Sequence, residues 1–341
     1  MRIYNKIKAL KSMKILLPSF LKSRFSPVPL WTHIYVTRKC NLNCKYCFVK
    51  DQKKTELDGK GLINVIDKLY ALGCRFISFF GGEPTIRKDF VDMVEYANRK
   101  GMFTHMTTNG ILLTPDYINR LGKAGIDIVN LSVDSVFEFD YSNKDYTKSK
   151  DVLKDLIAAR KKYGFEITVN FVLTRKNVDI VVKTIKLFDS FKIPISIGLI
   201  YGSVYSDKEQ DKSLFFNTEN DRMKLFEVLD EIKQLKKKKC NIIDPLKYFE
   251  DMKKFVKGEL DWYCCAGEYY FSVDSDGKFQ ICCLLPDENM SIFDIDKDYF
   301  KKISNSRKTR LDKCKKICYC NCLYDTSYFI KHPLSFIKEI F

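Results

Sequence analysis

The sequence predicts an α/β fold: a partial TIM-like (β/α)6 barrel followed by a small cysteine-rich C-terminal module. Three observations carry this expectation. From about residue 31 to residue 200, short β-rich runs alternate with amphipathic helical windows, the pattern of a parallel sheet with crossover helices. After Ile200 the alternation stops, and residues 219–257 read as helical. The cysteines gather in two places, with three between Cys40 and Cys47 and eight between Cys264 and Cys322.

The elements follow in order. Trp31–Val36 is β-rich and leads into the first cysteine loop. Leu62, Ile66, Leu69 and Leu72 recur at helical spacing, and Gly73 closes that helix. Phe76–Phe80 is an apolar strand, and Phe90, Met93, Val94 and Ala97 mark a helix ending near Gly101. Phe103–Thr107 reads as a strand and Pro115–Ala124 as a helix, with Thr114 as N-cap and proline in its first position. Ile128–Val133 is a strand, and Val152, Leu156, Ala159 and Tyr163 line one helical face. Glu166–Leu173, Val178–Phe188 and Ile195–Ile200 complete the series as strand, helix and strand. In such sheets chemistry is carried by loops at the strands' C-terminal ends.

Composition narrows the class. Lys and Arg number 59 against 43 Asp and Glu, a net charge of +16, which attracts phosphates, acidic peptides, nucleic acid or an anionic membrane without choosing among them. No apolar run approaches the ~18 residues that span a bilayer. No signal peptide is evident between Met1 and Phe25, so a cytoplasmic location is expected. In that compartment thirteen cysteines argue for metal binding or catalysis over disulfides. Cys74 and Cys240 stand alone and read as small buried hydrophobes. His33 and His105 fall on expected strands and are assigned no ligand role.

Cys40, Cys44 and Cys47 place three thiolates within one short loop directly after the first strand. Thiolates are the usual ligands of iron–sulfur clusters, and three ligands for a four-iron cubane leave one iron open to a small molecule. A zinc ribbon would want a fourth Cys or His nearby, and none follows before Cys74. The C-x3-C-x2-C spacing, with Tyr46 before the last cysteine, resembles the signature of radical S-adenosylmethionine enzymes. Further segments extend the resemblance over about residues 31–200. Gly81-Gly82-Glu83-Pro84 matches that family's GGEP motif after the second strand. Thr107-Thr108-Asn109-Gly110 ends the third strand and Ser132-Val133-Asp134 the fourth, while Asn170 lies within the fifth. The resemblance implies a [4Fe–4S] cluster on Cys40, Cys44 and Cys47. It also implies S-adenosylmethionine contacts from Tyr46, Gly81, Gly82, Glu83, Asn109, Ser132 and Asn170, and reductive cleavage to a 5′-deoxyadenosyl radical.

In the second cysteine group, Asp276-Gly277 is a turn signal between two strand-like runs, so a hairpin is expected that brings Cys265 and Cys282 together. Cys318, Cys320 and Cys322 alternate and in an extended stretch would point to one side. Cys265-Ala266-Gly267 and the Gly277-x4-Cys282 element, with a late cysteine group, resemble the SPASM or twitch extension. The resemblance implies one or two auxiliary iron–sulfur clusters with Cys265, Cys282, Cys314, Cys318, Cys320 and Cys322 as candidate ligands. The late C-x3-C-x-C-x-C spacing departs from the full SPASM pattern, and a zinc-organised knob is the alternative.

The expected division is a basic amphipathic segment over 1–30, the radical core over 31–205 and a helical connection over 206–258. An auxiliary cluster domain over 259–330 and an amphipathic tail over 331–341 complete it. The leading expectation for substrate is a peptide, which makes the chain a maturase; no acid or base is assigned. A lipid, isoprenoid or other small molecule met at the membrane through the basic ends is the second reading. A non-catalytic zinc-binding or nucleic-acid-binding protein is the third, and the sequence shows no recognised nucleic-acid motif. An electron donor such as flavodoxin or ferredoxin is the implied redox partner.

Overall fold

The computed structural model describes residues 29–201, 211–282, 285–296, 298, 299, 314, 318–333 and 335. The amphipathic reading of residues 1–25, most of the C-terminal tail and Cys283 lie outside them.

Six strands form the parallel part of the sheet: β1 (Trp31–Thr37), β2 (Phe76–Gly81), β3 (Phe103–Thr108), β4 (Ile128–Ser132), β5 (Glu166–Leu173) and β6 (Ile195–Leu199). The crossovers are α1 (Gly59–Leu72), α2 (Phe90–Arg99), α3 (Pro115–Ala124), α4 (Tyr146–Tyr163) and α5 (Val181–Ser190). Local chemistry sets their ends. The Asp58 and Asp145 carboxylates and the Thr114 hydroxyl accept first-turn amide protons of α1, α4 and α3, satisfying donors that a helix start leaves orphaned. α5 begins three residues later than its apolar spacing suggests, because Asn177–Ile180 forms a hydrogen-bonded turn before it.

The sheet continues past β1. β7 (Tyr270–Val273) lies parallel to β1, and β8 (Lys278–Cys282) and β9 (Leu285–Ser291) follow antiparallel. The strand order is β6-β5-β4-β3-β2-β1-β7-β8-β9. The expected hairpin around Asp276-Gly277 therefore extends the barrel's own sheet.

Strand alternation divides the sheet into two faces. Ile34, Val36, Ile77, Phe79, Met106, Val129, Leu131, Val169 and Phe171 pack under the helices and are fully buried; Phe79 meets Phe90 of α2 edge to face at 5.4 Å. Trp31, His33, Phe80, His105, Thr107, Asn130, Ser132 and Asn170 occupy the opposite, concave face. At ~25 cal/mol per Å2 of apolar area, the helix-facing layer is the main stabilising element of the fold.

Two expectations are corrected. Residues 219–257 are two helices, α6 (Glu219–Lys237) and α7 (Leu246–Val256). Lys239 in the left-handed region and Pro245 immediately before α7 interrupt the run, and the intervening Asp244 is buried beside β6, where its carboxylate accepts from Ile197 N and Ser196 Oγ. Cys318, Cys320 and Cys322 do not share one extended face, because α8 (Asn321–Lys331) begins between them with Cys320 as its N-cap. Burial of Leu323, Tyr324 and Ser327 along one side of α8 overrides the two-residue alternation.

Candidate active site

The concave side opens at the strands' C-terminal ends, and the first cysteine loop lies there. Register between β1 and β2 passes from Tyr35↔Phe80 to Thr37↔Gly81, a bulge that turns the chain out of the sheet. Beyond it the loop is tied down by backbone bonds: Cys47 N donates to Cys44 O at 3.0 Å and Lys45 N to Tyr141 O at 2.8 Å. The Cys44 thiol donates to Ser142 O at 3.2 Å, and Leu42 N donates to Cys40 Sγ at 3.4 Å. All three thiols are half-exposed.

Burial raises the Cys40 and Cys44 thiols, Cys44 to about 11, and Cys47 adds to both; Lys144 opposes the rise at Cys44. The thiols thus share one field, yet among the described residues no three His, Cys, Asp or Glu side chains are already gathered tightly enough to hold a metal ion. Ligand convergence and thiol deprotonation accompany metal binding. The donor set itself fits an iron–sulfur cluster: three soft donors on one braced, half-open loop at a strand end.

Tyr46 lies between two of these cysteines, and its hydroxyl is committed. It donates to Asp134 Oδ2 at 2.5 Å, and Lys144 places its ammonium 3.4 Å from the same oxygen and 5.0 Å above the Tyr46 ring. Asp134 Oδ1 accepts from Val172 N, and its carbonyl accepts from Asn177 Nδ2. Burial, then Asp134, pushes the Tyr46 hydroxyl well above its usual range, so it remains a donor. The β4 and β5 ends thereby hold the cysteine loop.

The glycine pair runs alongside the loop. Gly82 N donates to Thr37 O and Glu83 N to Lys39 O, each at 2.8 Å. A Cβ on Gly81 would stand 2.2 Å from Thr37 O, and one on Gly82 2.0 Å from Lys39 O, distances at which only hydrogen fits. The Glu83 carboxylate is buried and fully engaged. Oε1 accepts from Thr85 Oγ1 at 2.6 Å and Thr108 Oγ1 at 2.7 Å, and Oε2 accepts from Asn109 N at 2.7 Å. Burial raises its pKa while these bonds lower it; bonds to a charged group contribute about 1.5–3 kcal/mol each, so Glu83 acts as a tie between the ends of β2 and β3.

The remaining candidates are brought to the same rim. Asn109 Nδ2 donates to Asn41 Oδ1 at 2.8 Å, which ties the end of β3 to the cysteine loop. Ser132 and Asn170 are register partners on β4 and β5, and neither side chain takes a protein hydrogen bond among the described residues. Sequence reading quoted Thr108 and Asp134 only within the strand-end segments and gave neither a role, and it did not single out Asn41 or Lys144; Lys144 depends on how the loop 133–145 closes.

In the second cysteine group the thiols are deep. Cys265, Cys282, Cys314, Cys318 and Cys320 are buried, and Cys322 and Cys264 are half-buried. The hairpin register Ser272↔Gln280 runs on to set Cys282 opposite Tyr270, and Ala266, next to Cys265, bridges to Tyr270. Cys265 also docks on α8, its amide donating to Ser327 Oγ and its thiol to Leu323 O. A hydrogen bond from Cys322, aided by the backbone at Leu323, lowers Cys320 to about 7 against its burial. The group is joined to the barrel mouth through Asp274 at the end of β7, which takes Arg38 Nε at 2.7 Å and Lys54 Nζ at 2.6 Å.

Comparison with known proteins fits this geometry. The family model described as the radical SAM superfamily matches residues 34–188, the stretch that builds the cysteine loop, the glycine pair and the strand ends. The chain carries a radical SAM domain. That superfamily works with a [4Fe–4S] cluster and S-adenosylmethionine. The chain is 30% identical over 175 residues to the Fe-coproporphyrin III synthase of Methanosarcina barkeri, covering 49% of this chain and 42% of the synthase. It therefore spans less than half the length of that curated relative. Among solved structures, Streptococcus suis SuiB bound to S-adenosylmethionine superposes with a TM-score of 0.63 at 19% identity, over 89% of this chain and 74% of SuiB. SuiB bound to the precursor peptide SuiA gives 0.63 at 16% identity, over 87% and 70%. The enzyme anSMEcpe with bound AdoMet and the Cp18Cys peptide gives 0.57 at 18% identity, over 91% and 99%. These likenesses extend the shared fold beyond the barrel into the cysteine-rich region. Among the described residues no helix is long and apolar enough to cross a membrane.

Proposed function

We propose that this chain is a radical enzyme that reductively cleaves S-adenosylmethionine and uses the 5′-deoxyadenosyl radical to take a hydrogen atom from a peptide. The observation that carries this reading is the half-open triad Cys40, Cys44 and Cys47 at the barrel mouth, beside a glycine pair that admits no side chain. Cys40, Cys44 and Cys47 would hold a [4Fe–4S] cluster, which would supply the one-electron reduction that the cleavage needs.

The chain's own residues bind and orient. Gly81 and Gly82 leave backbone within reach of the methionyl end, and Glu83 holds that backbone in place from behind. Asn109, Ser132 and Asn170 offer polar groups at neighbouring strand ends, and Tyr46 is braced by Asp134. Cys265, Cys282, Cys314, Cys318, Cys320 and Cys322 are the proposed auxiliary ligands, within a cysteine-rich region of about 259–330. The electron comes from a flavodoxin or ferredoxin. A peptide substrate is supported by the fold shared with SuiB and anSMEcpe, whose structures hold peptides. The likeness to the coproporphyrin synthase favours a small molecule as the second reading.

The test is anaerobic. Protein reconstituted with iron and sulfide is given dithionite and S-adenosylmethionine, and 5′-deoxyadenosine is assayed against the C40A/C44A/C47A variant. Production by the wild type alone is expected, with a higher yield when a peptide pool is added. Bound zinc, no iron and no cleavage would overturn the reading; stimulation by tetrapyrroles in place of peptides would select the second one.

A further inference from the structure

The barrel floor holds a hydrogen-bond chain that the proposed cofactor chemistry does not use. Trp31 Nε1 donates to Ser78 Oγ at 2.7 Å, and Ser78 Oγ lies 2.9 Å from His105 Nδ1. An indole N–H only donates, so Ser78 is an acceptor there and its own proton needs a second partner. Ser78 is fully buried, and among the described residues Nδ1 of His105 is the one acceptor within its reach. The hydroxyl proton therefore goes to Nδ1, and the ring proton of His105 resides on Nε2.

The surroundings keep that ring neutral. His105 lies among Trp31, Phe76 and Phe80, with ring centroids 6.2–6.5 Å away, and burial holds its pKa down to about 3. His33, stacked on Phe80 at 4.1 Å, is also neutral by burial; its Nε2 is fully enclosed without a partner. His105 differs: the residue keeps 8% of its surface open, and no described protein group takes Nε2. Above it the concave face is open, since Phe80, Thr107, Asn130 and Asn170 are all half-exposed while the helix-facing residues of the same strands are closed. Asn130 bonds Thr107 and Thr168 on either side, so the walls above the floor are polar.

We propose that His105 is a substrate-positioning group at the barrel floor, a neutral Nε2–H donor that receives an uncharged carbonyl oxygen of the amide type. It deepens the reading of a peptide substrate and rests on it. A neutral donor in an aromatic setting accepts an amide carbonyl, whereas a carboxylate would lose its hydration there without a counter-charge.

The chain has three histidines, so nitrogen-15 histidine spectra of the reconstituted, oxidised protein resolve into assignable sets, with H105Q and H332Q as assignment variants. N-methylacetamide is titrated in until exposed His332 begins to respond, with acetate as the parallel probe. The expected result is a pure Nε2–H pattern at His105 and a saturable shift of its Hε2 signal with the amide before His332 moves. The S78A variant is expected to lose the pure tautomer. A proton on Nδ1, a response to acetate in place of the amide, or a His105 signal that moves only with His332 would each overturn the proposal. None of these outcomes bears on 5′-deoxyadenosine production, so the two readings fail separately.

Discussion

The two cysteine regions are built on opposite principles. The loop Cys40–Cys47 is half-open, and what orders it comes from neighbours: Asp134 and Lys144 around Tyr46, the Gly82 and Glu83 amides on Thr37 and Lys39, and Asn41 on Asn109. The C-terminal cysteines are largely buried and form part of the packing between the hairpin and α8. A loop meant to present an open coordination position keeps its thiols accessible, and polar ties can hold it there without closing it. A region meant to be organised by its own metal ligands can use the thiols as core. The ion pairs of Asp274 with Arg38 and Lys54 join the two.

The sharpest way to break this contrast is to remove thiols from each region. C40A/C44A/C47A is expected to bring 5′-deoxyadenosine to the detection floor, while urea unfolding of the iron-free protein shifts by no more than about 0.5 kcal/mol, as for surface changes. C265A and C282A, each at a buried position, are expected to cost the iron-free protein about 1–3 kcal/mol apiece. Equal destabilisation in both regions would erase the distinction.

Next in size is Gly82→Ala. The methyl would stand 2.0 Å from the Lys39 carbonyl oxygen, so the backbone between the glycine pair and the cysteine loop must separate. A displacement near 1 Å lowers turnover on the order of 100-fold. Dithionite-driven cleavage at saturating cofactor measures it; wild-type rates would show that the close approach is not needed.

The smallest effect concerns acid. His33 and His105 are neutral in the folded chain and have folded pKa values below the unfolded one, His105 at about 3. Between pH 6.5 and 3 the unfolded chain takes up protons that the folded chain refuses, so stability contributed above the unfolded pKa is lost as pH falls. At pH 5 this costs about 2 kcal/mol at His105, from 1.4 kcal/mol per pH unit, and His33 acts in the same direction. Urea midpoints at pH 7 and 5 should therefore fall further for the wild type than for H105Q, and parallel slopes would refute the assignment.

Much of this was legible in the chain, and the reason is local. The strands and helices of the barrel followed from apolar spacing with Gly73, Thr114-Pro115 and Asp276-Gly277 as punctuation, because such signals act within a few residues. The glycine pair and the cysteine spacing were legible for the same reason. The breaks at Lys239 and Pro245 and the helix start at Asn321 were less so, since packing of Asp244 and Leu323 against distant strands overrode local pattern.

By itself, then, the sequence determined the order of strands and helices, the two thiol groups and the glycine turn, all properties of contiguous residues. Only tertiary structure decided that Asp134 holds Tyr46, that Glu83 ties two strands, that the hairpin joins the sheet at β1, and that Trp31 and Ser78 select the tautomer of His105. Each of these pairs residues tens to hundreds of positions apart, and a hydrogen bond between them exists only once burial has removed water as the competing partner.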